Sequence, residues 1–91
     1  MSATYRRLVA CFTTVFPRLS EAAAPSAEVT SVEGWDSLAT MRLVTVVEEE
    51  FGASVGPSDV EHFGSFRQLL QYLQGRAGHA LAAGLPARSL R

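Results

Sequence analysis

Apolar residues recur at helical spacing in three stretches of the chain, and these stretches predict its principal helices. The first stripe precedes Pro17 and consists of Leu8, Cys11, Phe12, Val15 and Phe16. These intervals of three and four residues place the side chains on one face of a helix, and a proline ends a helix. Because Cys11 lies on this stripe, the pattern favours a small buried side chain over a nucleophile.

The second stripe belongs to the strongest predicted helix, from Ser37 to Phe51. Asp36 is a good N-cap, because its carboxylate can accept a backbone N–H of the first turn, and Gly52 suits a helix stop. The positions that share one face are Thr40, Leu43, Val44, Val47 and Phe51. Leu38 and Met41 point away from this face. Their apolar side chains indicate either contact with a partner protein or burial beneath a long loop.

The third stripe lies in a last helix and follows a short one. Ser58-Asp59-Val60-Glu61 has the S-x-x-E form of a capping box and predicts a short helix from Ser58 to about Phe63, which Gly64 ends. A second box, Ser65-Phe66-Arg67-Gln68, opens the last helix. Its stripe consists of Phe66, Leu69, Leu70 and Leu73.

Residues 17–36 form a connection that is long for a small domain, which points to a packed or functional loop. We expect Leu19, Val29 and Val32 to anchor it to the helices and Trp35 to pack at its end. Three main helices, one short helix and this long first loop predict an all-α, small four-helix bundle. The bundle occupies residues 1–75, and residues 76–91 are expected to form a flexible C-terminal tail.

Charge is distributed unevenly along the chain. Residues 20–61 carry all nine acidic side chains and one base, Arg42, for a net charge of −8, whereas residues 1–19 carry +3 and residues 62–91 carry +4. An acidic middle disfavours nucleic acid as a ligand and favours a basic protein partner, or else a solvated face. Glu48, Glu49 and Glu50 stand near a helix C-terminus, where the helix dipole disfavours negative charge, so recognition by basic residues would explain them.

The sequence offers little for catalysis. It has one cysteine and two histidines, no paired nucleophile and base, and no cluster of metal ligands, so we expect neither an enzyme nor a metal site. The single cysteine favours a cytoplasmic setting, and no apolar run is long enough to span a membrane. A helix N-terminus, however, suits a phosphate ester. Ser37 is therefore either an attachment point for a phosphate-linked group or an ordinary capping residue.

Several motifs resemble the acyl carrier protein family over about residues 5–74. Asp36-Ser37-Leu38 resembles the family's D-S-L motif, and the stretch from Leu43 to Gly52, which ends Val-Glu-Glu-Glu-Phe-Gly, resembles its second helix. The order of first stripe, long loop, short third helix and final helix also fits. The combination is more specific than the tripeptide alone.

The resemblance implies that Ser37 carries 4′-phosphopantetheine, transferred from coenzyme A by a phosphopantetheinyl transferase, with Asp36 beside it. The protein would then be a stand-alone, monomeric acyl carrier that holds acyl groups as thioesters. It would pass them between an acyl-loading enzyme, a ketosynthase or other acyl-processing enzymes. The side chains that we expect to contact these partners are Leu38, Met41, Arg42, Thr45, Glu48 and Glu49.

The chain also departs from part of the family. Fatty-acid carriers usually place acidic residues where this sequence has Ala39 and Arg42, and the Gly-Trp pair before Asp36 resembles discrete carriers of polyketide or other specialised pathways. The alternatives are an aminoacyl or peptidyl carrier of a nonribosomal pathway and a carrier-like domain that binds a partner without being modified. A small hydrolase that uses Ser37 would need a general base.

Overall fold

A computed structural model describes the backbone of residues 2–82 and the side chains of residues 2–75. Its elements, in chain order, are helix α1 (Ala3–Val15), a 3₁₀ turn (Ala24–Ser26), helix α2 (Ser37–Phe51), a 3₁₀ helix (Pro57–Gly64) and helix α3 (Phe66–Ala82). The described residues thus form the all-α bundle that the stripes predict. None of the helices described here is long and apolar enough to cross a membrane.

Helix α1 begins and ends at local signals. The Ser2 hydroxyl oxygen accepts the N–H of Tyr5 at 3.1 Å, which caps the first turn. The helix ends at Val15 because Phe16 precedes a proline, and the proline ring disfavours helical backbone at the residue before it. Phe16 has φ −120° and ψ 83°, and its side chain still packs into the core.

The core lies where α1, α2 and α3 meet, and the predicted stripes supply most of it. Fully buried members from each helix are Leu8, Phe12, Leu43, Val47, Phe66 and Leu69. Each such side chain contributes roughly 1.5–3 kcal/mol by leaving water. Phe12 is the centre of this packing, since its ring lies 5.1 Å from that of Phe66 and 5.6 Å from that of Trp35.

The long first loop is packed, and two of its three predicted anchors, Leu19 and Val32, are partly buried against the core, as predicted. Val29 is 43% exposed and is not an anchor, whereas the small side chains of Ala24 and Ala27 are buried. The backbone supplies the link instead. Val29 donates its N–H to Gly64 O at 2.9 Å, and Phe66 donates its N–H to Ala27 O at 3.0 Å. Irregular backbone must find hydrogen-bond partners, and here it finds them just before and at the start of α3.

The predicted short helix is a 3₁₀ helix, and the predicted Ser58–Glu61 capping box is wrong. Pro57 occupies the first helical position, for which its fixed φ is suited, so the cap is Gly56, two residues before the predicted Ser58. Gly56 donates its N–H to the Asp59 carboxylate at 3.2 Å and accepts the Asp59 N–H at 2.9 Å. The second box is confirmed in its first half, since the Ser65 hydroxyl accepts the N–H of Gln68.

The backbone of α3 continues past Gly75 to Ala82. Residues 83–91 of the predicted tail lie outside the described residues, and the flexible tail stays a prediction.

Candidate functional site

The chain turns sharply just before α2. Gly34 has φ +86°, in the left-handed region that glycine adopts at low cost, and its carbonyl accepts the N–H of Asp36 at 3.0 Å. Trp35 donates its backbone N–H to Val32 O at 3.2 Å. This turn delivers Asp36 and Ser37 to the start of the helix.

Trp35 holds the turn against the bundle. Its ring is 5% exposed and lies 5.6 Å from that of Phe12 and 5.2 Å from that of Phe16. Its indole Nε1–H donates to the Thr40 hydroxyl at 2.9 Å, which joins the last loop residues to the first turn of α2. The prediction that Trp35 packs at the loop's end is confirmed. The hydrogen bond from Trp35 to Thr40 was not predicted, since periodicity indicates only that Thr40 lies on the core stripe.

Asp36 is the N-cap of α2, as predicted. Its backbone is extended, and its Oδ1 accepts the N–H of Ala39 at 2.9 Å, while its carbonyl accepts the N–H of Thr40 at 2.9 Å. Gly52 ends the helix with φ +62°, and its N–H donates to Glu48 O. The predicted bounds of the helix, Ser37 and Phe51, are both confirmed.

Ser37 is the first residue of α2 and its side chain is exposed. The capping hydrogen bond is accepted by Asp36. Ser37 is therefore not the capping residue of α2, which was the alternative to an attachment point. Among the described residues, no hydrogen bond engages the Ser37 hydroxyl or the N–H groups of Ser37 and Leu38. The site therefore presents a free hydroxyl beside first-turn amides that have no intrahelical partner.

No general base accompanies this hydroxyl in the described part of the chain. His62 stacks on the Tyr72 ring at 5.0 Å, and Cys11 is 2% exposed in the core. Burial raises the pKa of the Cys11 thiol from its ordinary value of 9.0 to about 11, and the nearby Glu50 carboxylate adds to the rise. Cys11 is thus a protonated core residue at neutral pH, as predicted. The described residues also contain no group of three or more possible metal ligands.

The outer face of α2 carries the exposed apolar side chains near Ser37. Leu38 is 63% exposed and Met41 is 53% exposed, so the long loop does not cover them. The other predicted partner residues that are exposed are Arg42, Thr45 and Glu49. The Thr45 hydroxyl donates a hydrogen bond to Met41 O at 3.2 Å.

The three consecutive glutamates differ in their contacts. Glu48 is partly buried, and its carboxylate accepts the N–H of Val55 at 2.8 Å, so it holds the loop after α2. Glu50 pairs with Arg7 at 2.7 Å, and the Arg7 guanidinium lies 4.6 Å from the centroid of the Phe51 ring. Among the described residues, Glu49 alone of the three has no side-chain hydrogen bond or ion pair. No pattern in the sequence predicts the pairing of Glu50 with Arg7.

Comparison with known proteins gives one match. A family model described as "Phosphopantetheine attachment site" matches residues 6–73 of the chain. The matched range covers most of α1, all of α2 and the first part of α3, and includes Asp36 and Ser37. No curated protein and no solved structure matches the chain significantly.

Proposed function

The chain belongs to the family of phosphopantetheine attachment domains, and from that premise we propose that it is an acyl carrier protein whose attachment residue is Ser37. Members of this family carry covalent 4′-phosphopantetheine and are carriers rather than catalysts. The observation that supports Ser37 is its position: it is an exposed serine at the first residue of α2, directly after the residue that caps the helix.

The residues around Ser37 suit a phosphate ester. The N–H groups of Ser37 and Leu38 face the helix N-terminus, where the dipole and unpartnered amides favour an anion. The Asp36 carboxylate opposes a second negative charge, but it already accepts the Ala39 N–H. Both groups stand at an exposed surface, where water and salt screen their repulsion. Access from solvent also lets a transferase reach the hydroxyl.

When bound, the group ends in a thiol that holds an acyl chain as a thioester. The chain's own residues supply the rest of the function. Trp35 and Asp36 fix the first turn of α2, and Leu38 and Met41 offer a small apolar surface beside the attachment point. We propose that this surface, with Arg42, Thr45 and Glu49 around it, meets the transferase and the acyl-processing enzymes.

The Gly-Trp-Asp-Ser-Leu sequence resembles that of carriers in polyketide or other specialised pathways. It therefore favours an acyl carrier of such a pathway over an aminoacyl carrier. Ala39 and Arg42 remove acidic charge from the face of α2 that begins at Ser37. Arg42 is exposed, so a partner must tolerate or use a cation there. The mass of the thioester-bound species on protein isolated with its neighbouring enzymes distinguishes an acyl from an aminoacyl cargo.

Modification of Ser37 is tested by intact mass. The protein is incubated with coenzyme A, magnesium and a promiscuous phosphopantetheinyl transferase, and we expect the mass to rise by one phosphopantetheine group. Ser37→Ala should show no gain. Ser58→Ala is the matched control, because Ser58 is also an exposed serine in the first turn of a helical segment, and this variant should gain mass like wild type. An unchanged wild-type mass with several transferases would overturn the proposal.

A further inference from the structure

One hydrogen bond between side chains joins the first turn of α2 to the loop before it. Trp35 donates its indole Nε1–H to the Thr40 hydroxyl at 2.9 Å, and the bond is partly buried. The two residues lie on either side of Ser37 in the sequence. The bond therefore closes a short segment of the chain that contains the attachment residue. We call it the Trp35–Thr40 bond.

The other hydrogen bonds of this segment act only within the helix start. Asp36 accepts the N–H of Ala39 through its Oδ1 and the N–H of Thr40 through its carbonyl oxygen, both at 2.9 Å. These bonds form the first turn of α2 and satisfy two of its amides. They do not determine where this turn lies relative to the other helices.

Trp35 links the first turn of α2 to helix α1. Its ring is 5% exposed and lies 5.6 Å from the ring of Phe12 and 5.2 Å from that of Phe16. Aromatic pairs at such separations add to the stability that burial provides. The ring is thus fixed against α1, and the Trp35–Thr40 bond carries this constraint to α2.

Core packing by itself constrains the first turn of α2 weakly. The first fully buried side chain of the helix is Leu43, six residues after Ser37. Ala39 packs against the core, but it is partly buried and offers a single methyl group. The Trp35–Thr40 bond is therefore the main contact that holds the residues next to Ser37 against the bundle.

A simpler explanation of the Trp35–Thr40 bond is that a buried indole N–H needs an acceptor. Any nearby oxygen could meet this need, including a carbonyl of the loop. The acceptor found here is instead a side chain of the helix that begins at Ser37. Satisfying the indole therefore also fixes the attachment turn, and the two roles can be separated by kinetics.

We propose that Thr40 is a positioning residue for the attachment of phosphopantetheine, acting through Trp35 on the placement of the Ser37 hydroxyl. This inference rests on the proposed function. In the reaction the Ser37 oxygen bonds to the phosphorus next to the pantetheine of coenzyme A. The phosphoanhydride P–O bond breaks, adenosine bisphosphate leaves, and the hydroxyl proton passes to a base of the transferase. Because the chain supplies only the nucleophile, its contribution to the rate is the placement of this oxygen.

The test is single-turnover kinetics on the full chain, with saturating coenzyme A and a promiscuous phosphopantetheinyl transferase in excess. Thr40→Val keeps the side-chain shape but removes the acceptor. We expect the maximal rate constant to fall roughly three- to tenfold, the range that corresponds to the loss of one hydrogen bond. The transferase concentration that gives half of this rate should stay unchanged, because Leu38 and Met41 on the outer face of α2 are untouched.

Two further variants provide the rescue and the matched control. Thr40→Ser retains the hydroxyl and should restore the wild-type rate constant. Thr13→Val makes the same substitution at another partly buried threonine, whose hydroxyl donates to Ala10 O within α1 at 3.2 Å, and it should react like wild type. Circular dichroism at the assay temperature confirms that each variant is folded, so that a slower reaction reports placement.

The donor is tested from the other side by Trp35→Phe, which removes the indole N–H. This variant should also react slowly, and adding Thr40→Val to it should slow the reaction no further, since both changes remove the same bond. If Thr40→Val does not fold, Trp35→Phe decides the question by the same measurement.

Three outcomes would overturn the inference. They are an unchanged maximal rate constant in the folded Thr40→Val or Trp35→Phe protein, an equal fall in Thr13→Val, and a slow reaction of Thr40→Ser. Failure of the wild type to gain mass would overturn the proposed function itself.

Discussion

Trp35, Asp36 and Ser37, which lead into α2, each have a different structural role. Trp35 is buried against α1, Asp36 caps the helix and Ser37 is exposed with a free hydroxyl. This separation matters chemically, because a serine that capped its own helix would have to give up a hydrogen bond on modification. Since Asp36 supplies that bond, Ser37 can be esterified at no cost to the helix end.

At Asp36 we predict that the cap and the charge can be separated. Asp36→Ala should lower the free energy of unfolding by about 1 kcal/mol, because the Ala39 N–H loses its acceptor. Asp36→Asn should retain most of the stability, since an amide oxygen also caps a helix. Urea denaturation followed by the fluorescence of Trp35, the single tryptophan, measures both. Equal losses in the two variants would show that the charge, and not the hydrogen bond, stabilises the helix start.

At the scale of the element, α2 has one face in the core, one face toward solvent and a C-terminal end tied to other parts of the chain. Glu48 holds the following loop through Val55, and Glu50 joins α1 through Arg7. These contacts explain why Glu48 and Glu50 lie near the C-terminus of α2, where the helix dipole disfavours negative charge. Of these three glutamates, only Glu49 makes no side-chain hydrogen bond or ion pair with the described residues, so its carboxylate is available to a partner protein.

We predict that Glu48 and Glu49 behave differently under the same substitution. Glu48→Ala should lower the free energy of unfolding by about 1–3 kcal/mol, because it leaves the partly buried Val55 N–H without an acceptor. Glu49→Ala is the matched control, with the same change in helix propensity, and should stay within about 0.5 kcal/mol of wild type. Thermal unfolding followed by circular dichroism measures the difference. Equal stabilities would mean that the Glu48–Val55 contact is not maintained in solution.

The same distinction sharpens the test for partner contact. Glu49→Lys should slow acyl transfer to cognate enzymes while leaving the helical circular-dichroism signal unchanged. Glu48→Lys would combine loss of the loop contact with the charge reversal, so it cannot isolate recognition. Transfer rates that are unaffected by Glu49→Lys would assign this glutamate to solvation alone.

At the scale of the whole molecule, one core unites the three helices and the long loop. Phe12 and Phe16 of the α1 region contact Trp35 of the loop, and Phe12 also contacts Phe66 of α3. Cys11 lies in this core, 2% exposed. The thiol is therefore shielded from water only while the whole core is folded.

Cys11 should make stability fall at high pH. Its pKa is raised from 9.0 to about 11 by burial, so the unfolded chain loses the thiol proton at a lower pH than the folded chain does. Its stabilising contribution is full below pH 9 and is lost as the pH rises toward 11, by about 1.4 kcal/mol per pH unit. Urea denaturation between pH 7 and 10.5 should show a smaller decline for Cys11→Ala than for wild type. Parallel declines would show that the Cys11 thiol is not the cause.

The sequence by itself determined the features that depend on near neighbours. The cap by Asp36 acts over three residues and the stop at Gly52 acts over four, so α2 could be predicted from Ser37 to Phe51. Periodicity predicted the core stripes, and the resemblance of Asp36-Ser37-Leu38 to the D-S-L motif predicted Ser37 as the attachment residue. These signals are local because a helix satisfies its own backbone within one turn.

Only the tertiary structure decided which parts meet. Arg7 and Glu50 are 43 residues apart, and the backbone of Ala27 and Val29 binds that of Phe66 and Gly64. Periodicity tells which side of a helix is apolar but not what covers it, so Val29 was wrongly expected to be an anchor. Likewise, an open groove lies between the end of α1 and residues 31–34, because these two segments pack side by side without closing the space between them. Such contacts depend on the positions of segments distant in sequence, which no local pattern encodes.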